Sequence, residues 1–407
     1  MFRAFRSRNF ALLWTGSFVA NVGIWMQSVA MGWLIYGLTD SASWLGRIGF
    51  ASALPTLLLG LLGGAIIEHT DRRRLLCGCA LLYVLCGLTL ATITITGVVQ
   101  IWMIIVVSLF AGLSTAFFTP VFQAVLPSTV PPENLMNAIS LNSISFNVAR
   151  IIGPVIGGLV MKQVGVGWCF AVNGLGFLVM FAAGLALDLP PREMVARANV
   201  ARALRDGLDY ARRHSVIRAL LVLCVTMSLF GFPYIVLMPA LARSVLHLEA
   251  DGFTLLFSAV GAGAVLGGLS LAAAGDVRRK GLLVLACSCL FGLLLIVLSS
   301  VQTFAVAVCL LAAVGFNMIL CIASLNTLIQ VSVAEAMRAR VMSMVMVSLY
   351  GLPTVGAWML GSLGDRIGIT HALALGGGIV SVVAAVIGLT SPDLTRGAAR
   401  RRTQHAA

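Results

Sequence analysis

Twelve long apolar runs divide this chain, and each has about the 17–25 residues that a helix needs to cross the hydrocarbon of a bilayer. They fall at approximately 10–36, 45–67, 75–95, 101–126, 136–160, 167–187, 217–241, 252–274, 282–300, 304–328, 341–363 and 371–390. Lipid offers no water to open backbone groups, so runs of this kind are expected as helices. The expected fold class is an all-α membrane protein with twelve transmembrane helices. The N-terminal MFRAFRSRNFALLW has the basic and apolar regions of a signal peptide, but the apolar run is too long and lacks a small-residue cleavage site. It reads as the uncleaved first helix.

The basic residues orient these spans. All but five of the 27 Lys and Arg residues lie in the two tails and in alternate connections. They run from Arg3, Arg6 and Arg8 through Arg72–Arg74, a dense group from Arg192 to Arg218, Arg278–Lys280, Arg338 and Arg340 to a tail holding Arg396 and Arg400–Arg402. Arg47, Lys162, Arg243 and Arg366 lie in or at the edges of the other connections, and Arg150 alone lies deep inside a span. The positive-inside bias puts both termini in the cytoplasm.

Composition excludes several classes of function. Residues are 60% hydrophobic and 10% charged, against about 25% charged in a soluble domain. The net charge of +13 is spread over short loops without interleaved aromatic residues, so no nucleic-acid partner is expected; contact with membrane lipids explains it better. Nine cysteines lie in spans or at their edges, where Cys packs as a small apolar residue. Cys77-x-Cys79 and Cys287-x-Cys289 are too close and too apolar in setting for a metal site. No P-loop and no catalytic grouping is present, so neither an enzyme nor a cofactor is expected.

The chain is also an internal repeat. Residues 138–165 lie over 341–368 without a gap, matching Ser140 to Ser343, Gly153 to Gly356, Gly158 to Gly361 and Gly165 to Gly368. Leu62-Gly63-Gly64 through Arg74 is echoed by Leu266-Gly267-Gly268 through Lys280, and Gln123 by Gln330. Span n thus resembles span n+6. Six spans per half give two parallel repeats, the arrangement in which two six-helix bundles enclose a cavity. The expected domains are a first bundle at 1–187, a cytoplasmic linker at 188–216, a second bundle at 217–392 and a basic cytoplasmic tail at 393–407. Within the linker, Ala201–His214 reads as an amphipathic helix with Leu204, Leu208 and Ala211 on one face, suited to the headgroup layer.

Twelve spans, two parallel halves, the basic linker and the loop at Gly64–Arg74 together resemble the major facilitator superfamily over the whole chain. That superfamily's loop between helices 2 and 3 reads Gly-x-x-x-Asp-Arg-x-Gly-Arg-Arg. Here Gly64 is followed by Glu68, His69, Asp71, Arg72 and Arg73, so Glu replaces Asp, His replaces Arg and Asp replaces Gly. The resemblance implies that Glu68 and Asp71 pair with basic groups and with the start of helix 11, locking the cytoplasmic side. A charged hairpin that only orients the helices is the plainer alternative. Gly153-Pro154-Val155-Ile156-Gly157-Gly158, preceded by Asn147 and Arg150, resembles the antiporter element of the superfamily's exporters. Its glycines permit close helix approach and its proline favours a bend; packing alone is the alternative. Further stretches, such as FFTPVFQAVLPSTVPPENLMNAISLNS, resemble the enterobactin-exporter-like branch of small bacterial transporters, the transmembrane secretion effectors. That branch often carries Arg near position 122, where this chain has Phe122.

The resemblance implies a secondary active transporter of the bacterial inner membrane. It would work as a monomer by alternating access, coupled to protons, on a small-molecule substrate such as a siderophore, drug or other amphiphile. Its cavity would be lined by Asn21, Trp25 and Gln27 of span 1, Thr115, Phe118 and Phe122 of span 4, Tyr234 of span 7, and Asn317 and Asn326 of span 10. Polar groups facing lipid would each cost on the order of one to several kcal/mol, so they should point inward. An interhelical hydrogen bond is the alternative role for each. Arg150 shares a helical stripe with Ser143, Asn147 and Pro154, and a charge at that depth costs at least about 2.5–3.5 kcal/mol on insertion scales. It is the candidate holder of a substrate anion, with binding of backbone carbonyls as its alternative. No Asp or Glu lies inside the twelve runs, which leaves Glu68, Asp71 and Asp40 near the membrane faces for coupling. An importer of a small polar nutrient is the second reading of function.

Overall fold

A computed structural model describes residues 3–188, 209–275, 279–391 and 394, with backbone alone at 60–69, 336 and 339. Twelve helices long and apolar enough to span a membrane lie among the described residues. They are α1 (Arg8–Thr39), α2 (Ala42–His69), α3 (Arg72–Ile95), α4 (Ile101–Val125), α5 (Leu135–Gln163), α6 (Val166–Leu185), α7 (Ser215–Ser244), α8 (Ala250–Ala274), α9 (Lys280–Ser299), α10 (Phe304–Ser332), α11 (Glu335–Ile367) and α12 (Ile369–Thr390). Several run past the apolar segments by a turn, because a helix leaving the hydrocarbon continues with polar residues at its ends. The acids of Glu68, Asp251 and Asp365 therefore fall in terminal helical turns. Of the expected linker helix, 201–208 lie outside the described residues and 209–213 are helical.

The ends are set by local chemistry. Asp71 caps α3, its carboxylate accepting the backbone N–H groups of Arg73 and Arg74. Gly165 and Gly368 take φ of 100° and 93° between α5 and α6 and between α11 and α12. These two positions are equivalent in the repeat, and only glycine enters that region without a Cβ penalty. α7 is continuous as a span but contains a π-helical turn at Met227–Gly231, followed by Pro233.

The chain divides into two compact units. The first comprises Met1–Asp40, Ile48–Arg197 and Leu248–Ser258; the second comprises Ser41–Arg47, Ala198–His247 and Ala259–Ala407. The first has a core that includes Phe10, Leu13, Leu76, Tyr83, Phe122 and Phe177. The second has one that includes Leu220, Val284, Leu325, Ile329, Val341 and Val345.

Candidate functional site

In the first unit, glycine sets how close α5 comes to α1. A Cβ added at Gly153 would lie 2.6 Å from the Cβ of Trp25 and 3.0 Å from the carbonyl oxygen of Val22. With glycine there, the Trp25 indole reaches the polar stripe of α5. The Arg150 guanidinium carbon lies 5.6 Å from the Trp25 ring centroid, within cation–π range. Phe146 meets the same ring edge-on at 5.9 Å. The Trp25 Nε1 is buried without a hydrogen-bond acceptor. Arg150, Trp25 and Phe146 thus form a cluster that pairs a permanent cation with aromatic surface. Asn147 turns its amide back on its own helix, donating to the Ser143 carbonyl at 2.8 Å.

The rest of the Gly-Pro-Gly-Gly element faces two helices. A Cβ at Gly157 would meet Val29 Cγ2 at 3.2 Å, and one at Gly158 would meet Thr254 Oγ1 at 2.1 Å. Pro154 is buried inside an α5 that stays helical from Leu135 to Gln163. The repeat partner of Gly153 behaves alike in the second unit: a Cβ at Gly356 on α11 would lie 2.1 Å from the Leu229 carbonyl oxygen in the π-helical turn of α7. α5 receives α1 as α11 receives α7.

The remaining polar candidates are engaged with neighbouring helices. Gln27 Oε1 accepts from Asn173 Nδ2 on α6 at 2.6 Å. Thr115 hydrogen-bonds Tyr83, whose ring stacks on Phe177 at 4.0 Å, with Phe118 edge-on to Phe177 at 5.7 Å and Phe122 a further 6.0 Å from Phe118. In the second unit the Asn317 amide donates to the Cys287 carbonyl, and the buried Tyr234 hydroxyl donates to Met318 Sδ at 3.9 Å. Asn326 accepts from Gln330 one turn along α10 at 3.1 Å. Asn21 is half-buried on α1. Sequence reasoning did not single out Tyr83, Phe177 or Asn173, which lie on α3 and α6 and carry no signal beyond being polar or aromatic in a span.

The loop after α2 works as a set of caps. Arg72 donates to the Ala124 carbonyl at the end of α4 at 3.1 Å. Arg73 donates to the Gly184 carbonyl at 3.2 Å and to that of Leu185, both at the end of α6. Cations at helix C-termini are favoured by the dipole and satisfy carbonyls that have no intrahelical donor. Asp71 serves α3 itself, with Arg74 3.7 Å away. Gly64 and Glu68 lie on the last turns of α2, and their side chains fall outside the described residues.

Two further contacts, one in each unit, are made by repeat-equivalent positions that sequence reasoning missed. The ungapped register sets Lys162, near the end of α5, opposite Asp365, near the end of α11. In the first unit Lys162 pairs with Asp251 in the first turn of α8 at 2.6 Å. In the second, Asp365 accepts from Ser41 Oγ at 2.6 Å, Ala42 N at 2.7 Å and Ser43 N at 3.1 Å at the start of α2. Each position anchors the first turn of another helix, with opposite charge. The repeat alignment held the signal for these positions.

Comparison with known proteins places the chain. The sequence profile of the transmembrane secretion effectors matches residues 1–403. The chain belongs to this family of the major facilitator superfamily. Macrolide efflux protein A of Streptococcus pyogenes is 22% identical over 93% of this chain and 94% of its own. Enterobactin exporter EntS of Citrobacter koseri is 22% identical over 95% and 92%. A staphyloferrin A transporter of Staphylococcus aureus is 25% identical over 63% of this chain and 65% of its own length. Among solved structures, the nucleoside transporter NupG (D323A mutant) superposes with a TM-score of 0.78 at 11% identity, covering 94% of this chain and 100% of that one, which carries the fold alone. This transmembrane secretion effector is therefore a multi-pass membrane transporter with the major facilitator fold, acting on small molecules, and not an enzyme.

Proposed function

We propose that the protein exports an amphiphilic, anionic small molecule of the siderophore or drug class, by alternating access and at the expense of a proton gradient. The observation that carries this reading is the Arg150–Trp25–Phe146 cluster beside Gly153. A guanidinium presents five donors in a planar fork that matches a carboxylate or catecholate, and the two rings beside it suit a large apolar body. In a low-dielectric site a positive centre favours negative cargo strongly. The relatives named for macrolide efflux and enterobactin export support the outward direction. The Gly153–Gly158 element, which resembles that of the superfamily's exporters, lets α5 pack closely against α1 and the start of α8. Asp40, Glu68 and Asp71, at the ends of the apolar runs, are the proposed sites of proton exchange. The basic loops favour a bacterial inner membrane with both termini cytoplasmic.

The test begins with metabolites exported by cells with and without the protein, to find the cargo. Its efflux is then followed in vesicles carrying the parent chain, Arg150→Lys or Arg150→Ala, with and without a pH gradient. Export should fall in Arg150→Lys, which keeps charge but loses the fork, and fall further in Arg150→Ala. Normal export by a stably inserted Arg150→Ala would remove the anion-holding role. Loss of nutrient uptake on deletion, with export unchanged, would remove the exporter reading itself.

A further inference from the structure

Outside the Arg150 cluster, a cavity of about 350 Å³ opens between α3 and α4. Its rim is polar, formed by Thr70 and Arg74, and its walls are apolar, with Leu82, Leu113 and Phe117 among them. Gly78 is the reason for the space: a Cβ added there would meet no atom within 4 Å. The wall's one hydroxyl, Ser114, is already donated to the Cys79 carbonyl at 2.7 Å, so the interior asks for an apolar occupant. On the same two helices, Leu81 and Leu85 of α3 and Phe110 of α4 are exposed apolar side chains. In a membrane transporter such a surface faces hydrocarbon.

Depth decides what fits. At 1.5 Å per residue, Gly78 lies about 6 Å and Leu82 about 12 Å along α3 from Arg74. With a hydrocarbon core about 30 Å thick, the groove runs through most of one leaflet. Arg74 sits where a lipid headgroup would, its side chain 88% exposed and bridged to Asp71 only at 3.7 Å. A bridge that exposed holds its partner weakly. Because Asp71 also occupies the first amides of α3, a phosphate would be held by the guanidinium and not by the helix end.

The geometry points to a bound anionic glycerophospholipid, with one acyl chain laid along Gly78 between α3 and α4 and its phosphate on Arg74. The two requirements separate cleanly: Gly78 admits the chain, and Arg74 selects the head.

Native mass spectrometry of the full-length protein in detergent tests this with dioleoyl phosphatidylglycerol and dioleoyl phosphatidylcholine as probes. The parent chain should prefer the anionic lipid about fivefold, the effect of one interfacial basic residue. Arg74→Gln should bring the two lipids to parity while retaining both. Gly78→Leu, which fills open space, should weaken both severalfold, and Gly78→Ala should weaken them less; a thermal midpoint near that of the parent shows that each variant is folded. Undiminished phosphatidylglycerol binding in Gly78→Leu, or undiminished preference in Arg74→Gln, would overturn the assignment. Displacement of the lipid by millimolar inorganic phosphate would also overturn it, leaving a bare anion site. Displacement by an uncharged drug-like probe, equally for both lipids, would make the groove an entry for cargo instead.

Discussion

Replacing Gly153 by alanine tests the packing that places Trp25 against Arg150. The added methyl would sit 2.6 Å from Trp25 Cβ and 3.0 Å from the Val22 carbonyl oxygen. Non-bonded carbons settle near ~3.5–4.0 Å. Neither obstacle is the free end of a side chain, so no rotamer change relieves the clash, and α1 must retreat by about 1 Å. Overpacking of this kind costs about 1–3 kcal/mol. Alanine also recovers up to about 1 kcal/mol of helix propensity over glycine, which confounds a single measurement. Gly157→Ala supplies the control, because it gains the same propensity on the same helix while its methyl meets Val29 Cγ2 at 3.2 Å and Met26 Cα at 3.4 Å, contacts several tenths of an ångström longer than those at Gly153. The difference between the two variants removes the common term and should equal about 1–3 kcal/mol, with Gly153→Ala the less stable. Equilibrium unfolding of both variants in one detergent measures it. Equal stabilities, or a less stable Gly157→Ala, would refute the claim that α1 and α5 are in contact at Gly153.

Asp365→Ala removes a carboxylate from the backbone N–H groups of Ala42 and Ser43. Loss of such a cap is worth about 1 kcal/mol, or roughly fivefold faster amide exchange there; hydrogen–deuterium exchange of the peptide covering 41–47 reads it, and unchanged protection would remove the cap. Lys162→Ala should change exchange at the start of α8 less, because its pair with Asp251 is exposed on both sides; an effect as large as that of Asp365→Ala would contradict this. A cysteine introduced at position 200 should react with an impermeant reagent only from the cytoplasm, and one at position 250 only from outside. The reverse pattern would overturn the orientation drawn from the basic loops.

The number and place of the helices were legible because crossing lipid demands long apolar runs, and nothing else in a sequence looks like that. Their ends were not. α11 begins at Glu335 and not near 341, since a helix outside hydrocarbon no longer needs apolar residues to persist. The π-helical turn in α7 was also hidden; its displaced Leu229 carbonyl is accommodated by Gly356, more than 120 positions away. Among site residues, Arg150 stood out because one charge in a span is costly, and the structure sets it against Trp25. Asn317 and Gln27 stood out for the same polar reason, yet their amides bond Cys287 and Asn173. Avoidance of lipid turns a polar group inward, but whether it then meets cargo or a neighbouring helix depends on distances that only the assembled fold supplies.

The capping arginines also bear on the order in which the protein is made. Arg72 and Arg73 leave the ribosome early, but the carbonyls they bind belong to Ala124, Gly184 and Leu185, 52 to 112 positions later in the chain. Until α4 and α6 have been threaded into the bilayer, these carbonyls are not in place for the guanidinium groups to bind. The first unit is therefore fastened at this edge only after its sixth helix arrives, so a chain stalled before α6 should leave Arg73 open to chemical modification that the finished protein resists.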